Sequence, residues 1–395
     1  MPSRDATETT LYKDGRMGYR LDEWAQSDTW KGIALKIIRV DSLKLGMQIA
    51  RDLFGPNGII LLRRGVNLTE AMIRSISRLN YASIYISDGI GDDQSVIEAE
   101  VIPEAKRHEA VNIVKQFCAA SSSNKLSQNA GLDVSSVVKA AKDIVQSVME
   151  NPNAVISLID LKSFDDYTFQ HSVSTCLLAV VLGRRVRLPI GNLEDLALGT
   201  LLHDLGKMTL PLTILNKPGK LTLEEFELIK SHPRAGFDLL SSNRFISAHA
   251  KAVVLQHQEK FNGTGYPKGM SGKDIHINGR IGAVVDVYDA LTSDRSYRPR
   301  ILPHRALAIL RDGSGSHFDS ELVDTFLQMV TPYPIGTHLR LSSGEEAAVI
   351  TVPRANIHQP IIQVIADANG QPSADKRVID LSSGEIQIQS VLEAE

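Results

Sequence analysis

Four histidines and two aspartates are the residues of this chain best suited to chemistry: His171, His203, Asp204, His232, His257 and Asp286. Two of them are adjacent in Leu202-His203-Asp204-Leu205-Gly206-Lys207. About fifty residues later comes a second run, His257-Gln258-Glu259-Lys260-Phe261-Asn262-Gly263-Thr264-Gly265-Tyr266-Pro267. Imidazole nitrogens and carboxylate oxygens together are the donors preferred by borderline to hard divalent ions such as zinc, manganese and iron. The set therefore points to a metal site, and the metal to hydrolysis. Lys207 follows His203 by one helical turn, which brings its ammonium within reach of the same cavity. Taken singly, each histidine would pass as a satisfied core or surface residue; as an ordered set they read as ligands. His108, His249, His276, His304, His317, His338 and His358 fall outside that order and read as structural.

Such donors must be held by elements far apart in sequence, and the chain has room for them. Its 395 residues allow two or three domains, and 43% hydrophobic with 23% charged residues is ordinary for a globular protein. A formal net charge of −3 gives no sign of general nucleic-acid affinity, so any phosphate binding must be local. Cys118 and Cys176 are too few for a disulfide framework or a cysteine zinc site, and read as reduced thiols. Residues 1–10 are polar with no apolar signal core, and the densest apolar stretch, 173–182, is too short to span a bilayer. The expectation is a cytoplasmic protein.

Five stretches follow from the patterning. Residues 1–33 read as a loose leader. Residues 34–90 read as a small α/β domain, with strands around the turn Gly55-Pro56-Asn57-Gly58 and a helix capped by Thr69, whose Met72, Ile73, Ile76 and Leu79 share a face. Residues 91–150 read as a helical linker. Its second helix, capped by Asp133, repeats Val134, Val137, Val138, Ala141, Val145 and Val148 at helical spacing, which suits a packing face or a homodimer seam. Residues 151–332 run helix after helix and form the main domain. His171 lies in a helix starting near Asp166, and His203-Asp204 closes one running from Leu193, so single inward residues from several helices can converge on an ion. From 333 to 395 the pattern turns to short strands, a β appendage of SH3-like size. The fold class expected is mainly α, an all-helical bundle between small α/β and β units.

Five ordered pieces carry a family resemblance: Asp166-Tyr167-Thr168-Phe169-Gln170-His171-Ser172, the His203-Asp204 doublet, Ser231-His232-Pro233, the Gly263-Thr264-Gly265-Tyr266-Pro267 loop, and Asp286-Val287-Tyr288-Asp289-Ala290-Leu291 running into Arg295-Ser296-Tyr297-Arg298. Over about two-fifths of the chain they resemble the HD-GYP family, metal-dependent phosphodiesterases of the bacterial second messenger cyclic di-GMP. The resemblance implies an HD-type bundle with two divalent ions, iron or manganese. It assigns His171, His203, Asp204 and Asp286 to one ion, and adds His232 and His257 for a second, with Asp204 bridging. It further implies hydrolysis to linear pGpG, and onward to GMP, by a metal-activated hydroxide that Asp204 positions. Lys207 would neutralise a non-bridging phosphate oxygen, and Arg295 and Arg298 would clamp the second phosphate, for which guanidinium forks are suited. Gly265 allows close backbone approach, and Tyr266 offers a ring to the ligand or, in the same loop, to a signalling protein partner.

The chain departs from the family where His-His-Glu is usual: here the run is His257-Gln258-Glu259. A Gln carbonyl binds hard ions but is a poor substitute for a basic nitrogen. Gln258 thus motivates an alternative, a catalytically weak or inactive cyclic di-GMP sensor or signalling scaffold. A third reading is an HD hydrolase acting on another cyclic dinucleotide. Asn262 stands where Asp is commoner, and Tyr167 is not a carboxylate, so no further metal is expected through a Glu there.

Overall fold

The computed structural model describes residues 10–11, 17–18, 35–55, 59–79, 81, 83–87, 102–122, 134–151, 167–215, 217, 219–293, 300–353, 355–373 and 377–392. Most of the leader, Pro56-Asn57-Gly58, Asp133, Asp166, Arg295 and Arg298 lie outside the described residues.

The N-terminal unit pairs β1 (Leu35–Arg39) with β5 (Ser83–Ser87), which also pairs β2 (Gln48–Ile49); β3 (Leu53–Phe54) pairs β4 (Ile60–Leu62), all antiparallel. Thr69 caps α1 (Glu70–Arg78), its hydroxyl accepting from the Met72 N–H at 3.3 Å. The apolar face of α1 closes a small core of Ile49, Leu53, Leu68, Ile76, Ile84 and Ile86. This is the α/β unit that the spacing predicts.

The helical body comprises α2 (Glu104–Ser122), α3 (Ser135–Glu150), α4 (Tyr167–Arg185), α5 (Ile190–Leu201), α6 (Leu223–Ile229), α7 (His232–Ser241), α8 (Ala248–Gln256), α9 (Ile277–Thr292), α10 (Pro303–Asp312) and α11 (Ser320–Leu327). Local chemistry sets several starts. Thr222 and Glu225 form a capping box on α6, and Ser247 and Asp319 cap α8 and α11 through their side chains. Two apolar clusters fill the body. Val173, Cys176, Leu177 and Val180 of α4 join α2, α3, α5 and α8 in one, while Leu178, Ala179 and Leu182 join α9, α10 and α11 in the other. A helix that is apolar all round must be buried, and α4 is the central one. Cys118 and Cys176 are buried in the first cluster, and burial pushes both thiols up to about 12.

The stretch 91–150, read as a linker, contributes α2 and α3 to that same core. Val114, Phe117, Val137, Ala141, Ile144 and Val148 pack with α4 and α5, and Arg184 of α4 donates to the Val148 carbonyl at 3.1 Å. The valine face of α3 is thus a packing face inside one body. Beyond α11, a five-stranded antiparallel sheet is built from β6 (His338–Leu341), β7 (Glu346–Thr351), β8 (Ile361–Ala366), β9 (Val378–Asp380) and β10 (Ile388–Leu392), in the order β9-β8-β7-β6-β10. It has its own core around Leu339, Leu341, Val349 and Ile362. Among the described residues no helix is long and apolar enough to cross a membrane.

Because α3 belongs to the body, Ile144→Ala should cost about 2–5 kcal/mol, as buried Ile-to-Ala changes do, and not the small fraction of a kcal/mol typical of a solvated linker. Urea unfolding followed by the helical signal tests this: an unchanged midpoint would return α3 to the role of linker.

Candidate metal centre

Each expected donor that is described sits at the inner end or on the inner face of a helix. His171 is one turn into α4, His203 and Asp204 lie in the turn that ends α5, His232 opens α7, His257 ends α8, and Asp286 projects from α9. All four histidines and Asp204 are buried. The turn is held against α7 through Gly206, where a β-carbon would collide with the His232 carbonyl oxygen, so only glycine allows this approach. A side chain at Gly199 would likewise strike the Ala250 carbonyl, which sets the spacing of α5 and α8.

The histidines share one orientation. His203 places Nδ1 2.7 Å from the Thr200 carbonyl, His232 places it 2.8 Å from that of Ile229, and His257 places it 3.1 Å from those of Val253 and Val254. A carbonyl only accepts, so these Nδ1 atoms carry the proton and the Nε2 atoms point inward. His171 does the same with a carboxylate, Asp289 Oδ2, at 2.6 Å. Inside, His171 Nε2 lies 3.0 Å from Asp286 Oδ1, and His203 Nε2 lies 3.4 Å from Asp204 Oδ2 and 3.9 Å from Asp286 Oδ1. His232 Nε2 and His257 Nε2 approach to 3.1 Å, at 3.5 and 3.9 Å from Asp204 Oδ1.

Two lone pairs at 3.1 Å repel unless a cation lies between or beside them. Moreover, His203 Nε2 and Asp204 Oδ1 are buried and make no hydrogen bond among the described residues, a costly state for polar atoms away from water. Two overlapping groups, His171-His203-Asp286 and His203-Asp204-His257, each bring three ligand atoms within 4.8 Å of one another. The donor set fits divalent metal. Nitrogen and carboxylate are of the right hardness, and the imidazole protons are engaged on the outside as outer-shell partners do in metal sites.

Burial holds His232 down at about 4 and His257 at about 3, so both are neutral and able to ligate at pH 7. Burial acts the same way on His203, but the Asp204 and Asp286 carboxylates outweigh it and raise the group to about 9. Asp204 and Asp286 stay below the usual carboxylate range: burial opposes this, and is overcome at Asp204 by His203 and Lys207 and at Asp286 by His171 and the other imidazoles. Lys207 donates to Asp204 Oδ2 at 2.6 Å from the short turn Leu205–Thr209.

The Gly-Tyr-Pro loop is fastened to this centre. Buried Glu259 accepts from the Lys268 and Met270 N–H groups at 2.8 and 3.0 Å, and a β-carbon on Gly265 would strike the Lys260 nitrogen. Asn262 Oδ1 accepts from the Thr264 N–H at 3.1 Å and its hydroxyl at 2.7 Å, a turn bond that an Asp would make equally. The Tyr266 ring centroid lies 6.4 Å from that of His232, and its hydroxyl donates to Gln258 Oε1 at 3.0 Å. Gln258 Nε2 donates to Asp286 Oδ2, also at 3.0 Å. Two contributors were missed by reading the sequence. Asp289 orients His171, a role signalled only by its place one turn after Asp286, and Glu259 staples the loop. Among the histidines set aside, His276 caps α9, accepting from the Asn278 N–H.

The profile of the HD domain matches residues 154–322. The chain is 39% identical over 250 residues to a cyclic di-GMP phosphodiesterase of Pseudomonas aeruginosa, which covers 63% of this chain and 60% of that protein. It is 47% identical over 133 residues to a cyclic di-GMP phosphodiesterase of Vibrio cholerae, 32% of this chain and 27% of the other. The chain thus spans about three-fifths of the first relative and about a quarter of the second. A solved structure of a HDG"Y"P protein from Bdellovibrio bacteriovorus aligns over 74% of this chain and 98% of that one, with a TM-score of 0.49 and 20% identity, too distant to bear on chemistry. A helical body that gathers histidines and aspartates around the His203-Asp204 doublet defines an HD-domain protein. With its Gly-Tyr-Pro loop packed beside that doublet, this HD-domain region is similar to the HD-GYP proteins.

Metal must displace the proton that the metal-free His203 holds up to about 9. Affinity for manganese(II) should therefore rise with pH between 6.5 and 8.5, by about tenfold per unit for one displaced proton, and uptake should release protons. Calorimetry in buffers of differing ionisation enthalpy checks it; pH-independent affinity would contradict the arrangement.

Proposed function

We propose that this protein is a cytoplasmic, metal-dependent phosphodiesterase that hydrolyses cyclic di-GMP to linear pGpG. The supporting observation is the convergence of inward Nε2 atoms on Asp204, whose Oδ1 makes no hydrogen bond among the described residues, joined to the activity named for the relatives. Two divalent ions, iron or manganese, would be held by His171, His203, Asp204 and Asp286 and by Asp204, His232 and His257. Bound there, such ions supply Lewis acidity to a phosphodiester and make water acidic near neutral pH. The chain's own residues do the rest. Asp204 orients the attacking water with Oδ1, which has no hydrogen bond among the described residues, while Oδ2 holds Lys207. The Lys207 ammonium, partly exposed, neutralises a non-bridging phosphate oxygen as charge builds. Tyr266, beside His232, would offer its ring to the substrate. Arg295 and Arg298 would clamp the second phosphate. The catalytic unit is taken as residues 151–332 braced by α2 and α3, with 34–90 and 333–395 as flanking units.

The test is product analysis of cyclic di-GMP incubated with manganese- or iron(II)-loaded protein. His203→Ala and Asp204→Ala should each lower pGpG formation by at least about a hundredfold, in line with loss of a metal ligand or water-orienting group. Lys207→Met should lower kcat more than it raises KM, because its charge matters most in the transition state. Turnover that survives Asp204→Ala would sink the mechanism. Tight binding of cyclic di-GMP without any product would favour the sensor reading that Gln258 motivates.

A further inference from the structure

Gln258 occupies the position where a second imidazole would be expected to reach the metal centre, but its amide is turned the other way. An ionised carboxylate only accepts hydrogen bonds, so the group facing Asp286 Oδ2 at 3.0 Å must be the amide nitrogen. The carbonyl oxygen, the only atom of the side chain able to ligate a cation, therefore points to the Tyr266 hydroxyl at 3.0 Å, and the phenol must be the donor. Burial pushes the Tyr266 phenol up, which keeps its proton in place. The same residue holds the loop through its backbone as well, its carbonyl accepting from the Tyr266 N–H at 3.1 Å. With Oδ2 engaged by Gln258, Asp286 presents Oδ1 to His171 at 3.0 Å and to His203 at 3.9 Å.

We infer that Gln258 is a positioning residue, not a ligand: it forms the middle of a directional chain, Tyr266 O–H to Gln258 C=O and Gln258 N–H to Asp286, that locks the carboxylate in a one-oxygen pose and couples it to the Gly-Tyr-Pro loop. This rests on the reading of Asp286 as a metal ligand given above. The side chain that departs from the family pattern thereby contributes to the centre as an outer partner of a ligand, and the loop tyrosine helps to set how the centre holds its ion.

The experiment is manganese(II) titration of the full-length protein, free ion being read by electron paramagnetic resonance, for wild type, Tyr266→Phe, Gln258→Leu, Gln258→Asn, the Tyr266→Phe/Gln258→Leu double variant, and His203→Ala. Loss of an outer-shell partner typically weakens metal binding about ten- to a hundredfold. Both Tyr266→Phe and Gln258→Leu should therefore weaken the tighter manganese site by about tenfold or more, and the double variant should be no weaker than the worse single variant. Gln258→Asn, with the same amide on a shorter stem, should resemble Gln258→Leu, because it cannot span both partners. Circular dichroism melting confirms that each variant is folded, and Gln258→Asn provides the comparison should the leucine variant fail to fold. If Gln258 is instead a ligand, Tyr266→Phe frees its carbonyl and leaves manganese binding unchanged or tighter while Gln258→Leu weakens it; that result overturns the inference. Unchanged affinity in every Gln258 and Tyr266 variant overturns it too. Equal manganese binding by wild type and His203→Ala would instead remove the reading of the centre on which it depends.

Discussion

The outward anchoring of four imidazole protons is the constraint on which the centre depends. Three Nδ1–H groups are engaged by backbone carbonyls three or four residues earlier in the chain, and the fourth by Asp289. Once those protons are committed, each ring has only Nε2 to offer, and every Nε2 faces the same buried space beside Asp204 and Asp286. The anchors of His203, His232 and His257 are three or four residues away in sequence, so the ring orientation is a by-product of helix geometry at an end or a turn. The site is polarised before any ligand arrives: two imidazoles are kept neutral by burial, while two carboxylates are kept ionised by their cationic neighbours.

Packing makes that orientation stiff. The body is layered about α4, which contributes to both apolar clusters, and the two glycines at Gly199 and Gly206 let backbone meet backbone where the donors must converge. Neither glycine needs an unusual backbone angle; what each supplies is the absence of a β-carbon. α2 and α3 extend the first cluster, so the segment arriving from the N-terminal unit is part of the wall behind the metal centre. Close-packed interiors do not deform smoothly, and a shift of α2 would be felt by the helices that carry the candidate ligands.

The Gly-Tyr-Pro loop is integrated with the centre by three separate devices. Glu259 receives two loop amides, Gly265 allows the chain to fold back on itself, and Tyr266 reaches Gln258 and through it Asp286. A residue that looks like a loss when compared with a ligand list becomes, in three dimensions, a hydrogen-bonded connector. The energetic reason is local. An amide presents a donor and an acceptor on opposite sides of one plane and can bridge a carboxylate and a phenol at once.

The side chains able to bind metal, the mainly helical class and the two flanking units were legible in the sequence, because donor type is a property of the side chain and amphipathic spacing is a property of the helix. The Thr69 cap and the valine face of α3 were legible for the same reason. What the valine face packs against was not, since periodicity says that a helix has a buried side but not which neighbour covers it; a packing face and a dimer seam were both open, and α3 packs with α4 and α5. Asp289, Glu259 and the orientation of Gln258 were also out of reach. Each acts through partners that are set by the fold: Asp289 lies 118 positions along the chain from His171, and Gln258 lies 28 from Asp286. The sequence alone thus determined which atoms could bind metal; only tertiary structure decided which of them face the centre, because direction depends on the hydrogen bond made by the other end of each side chain.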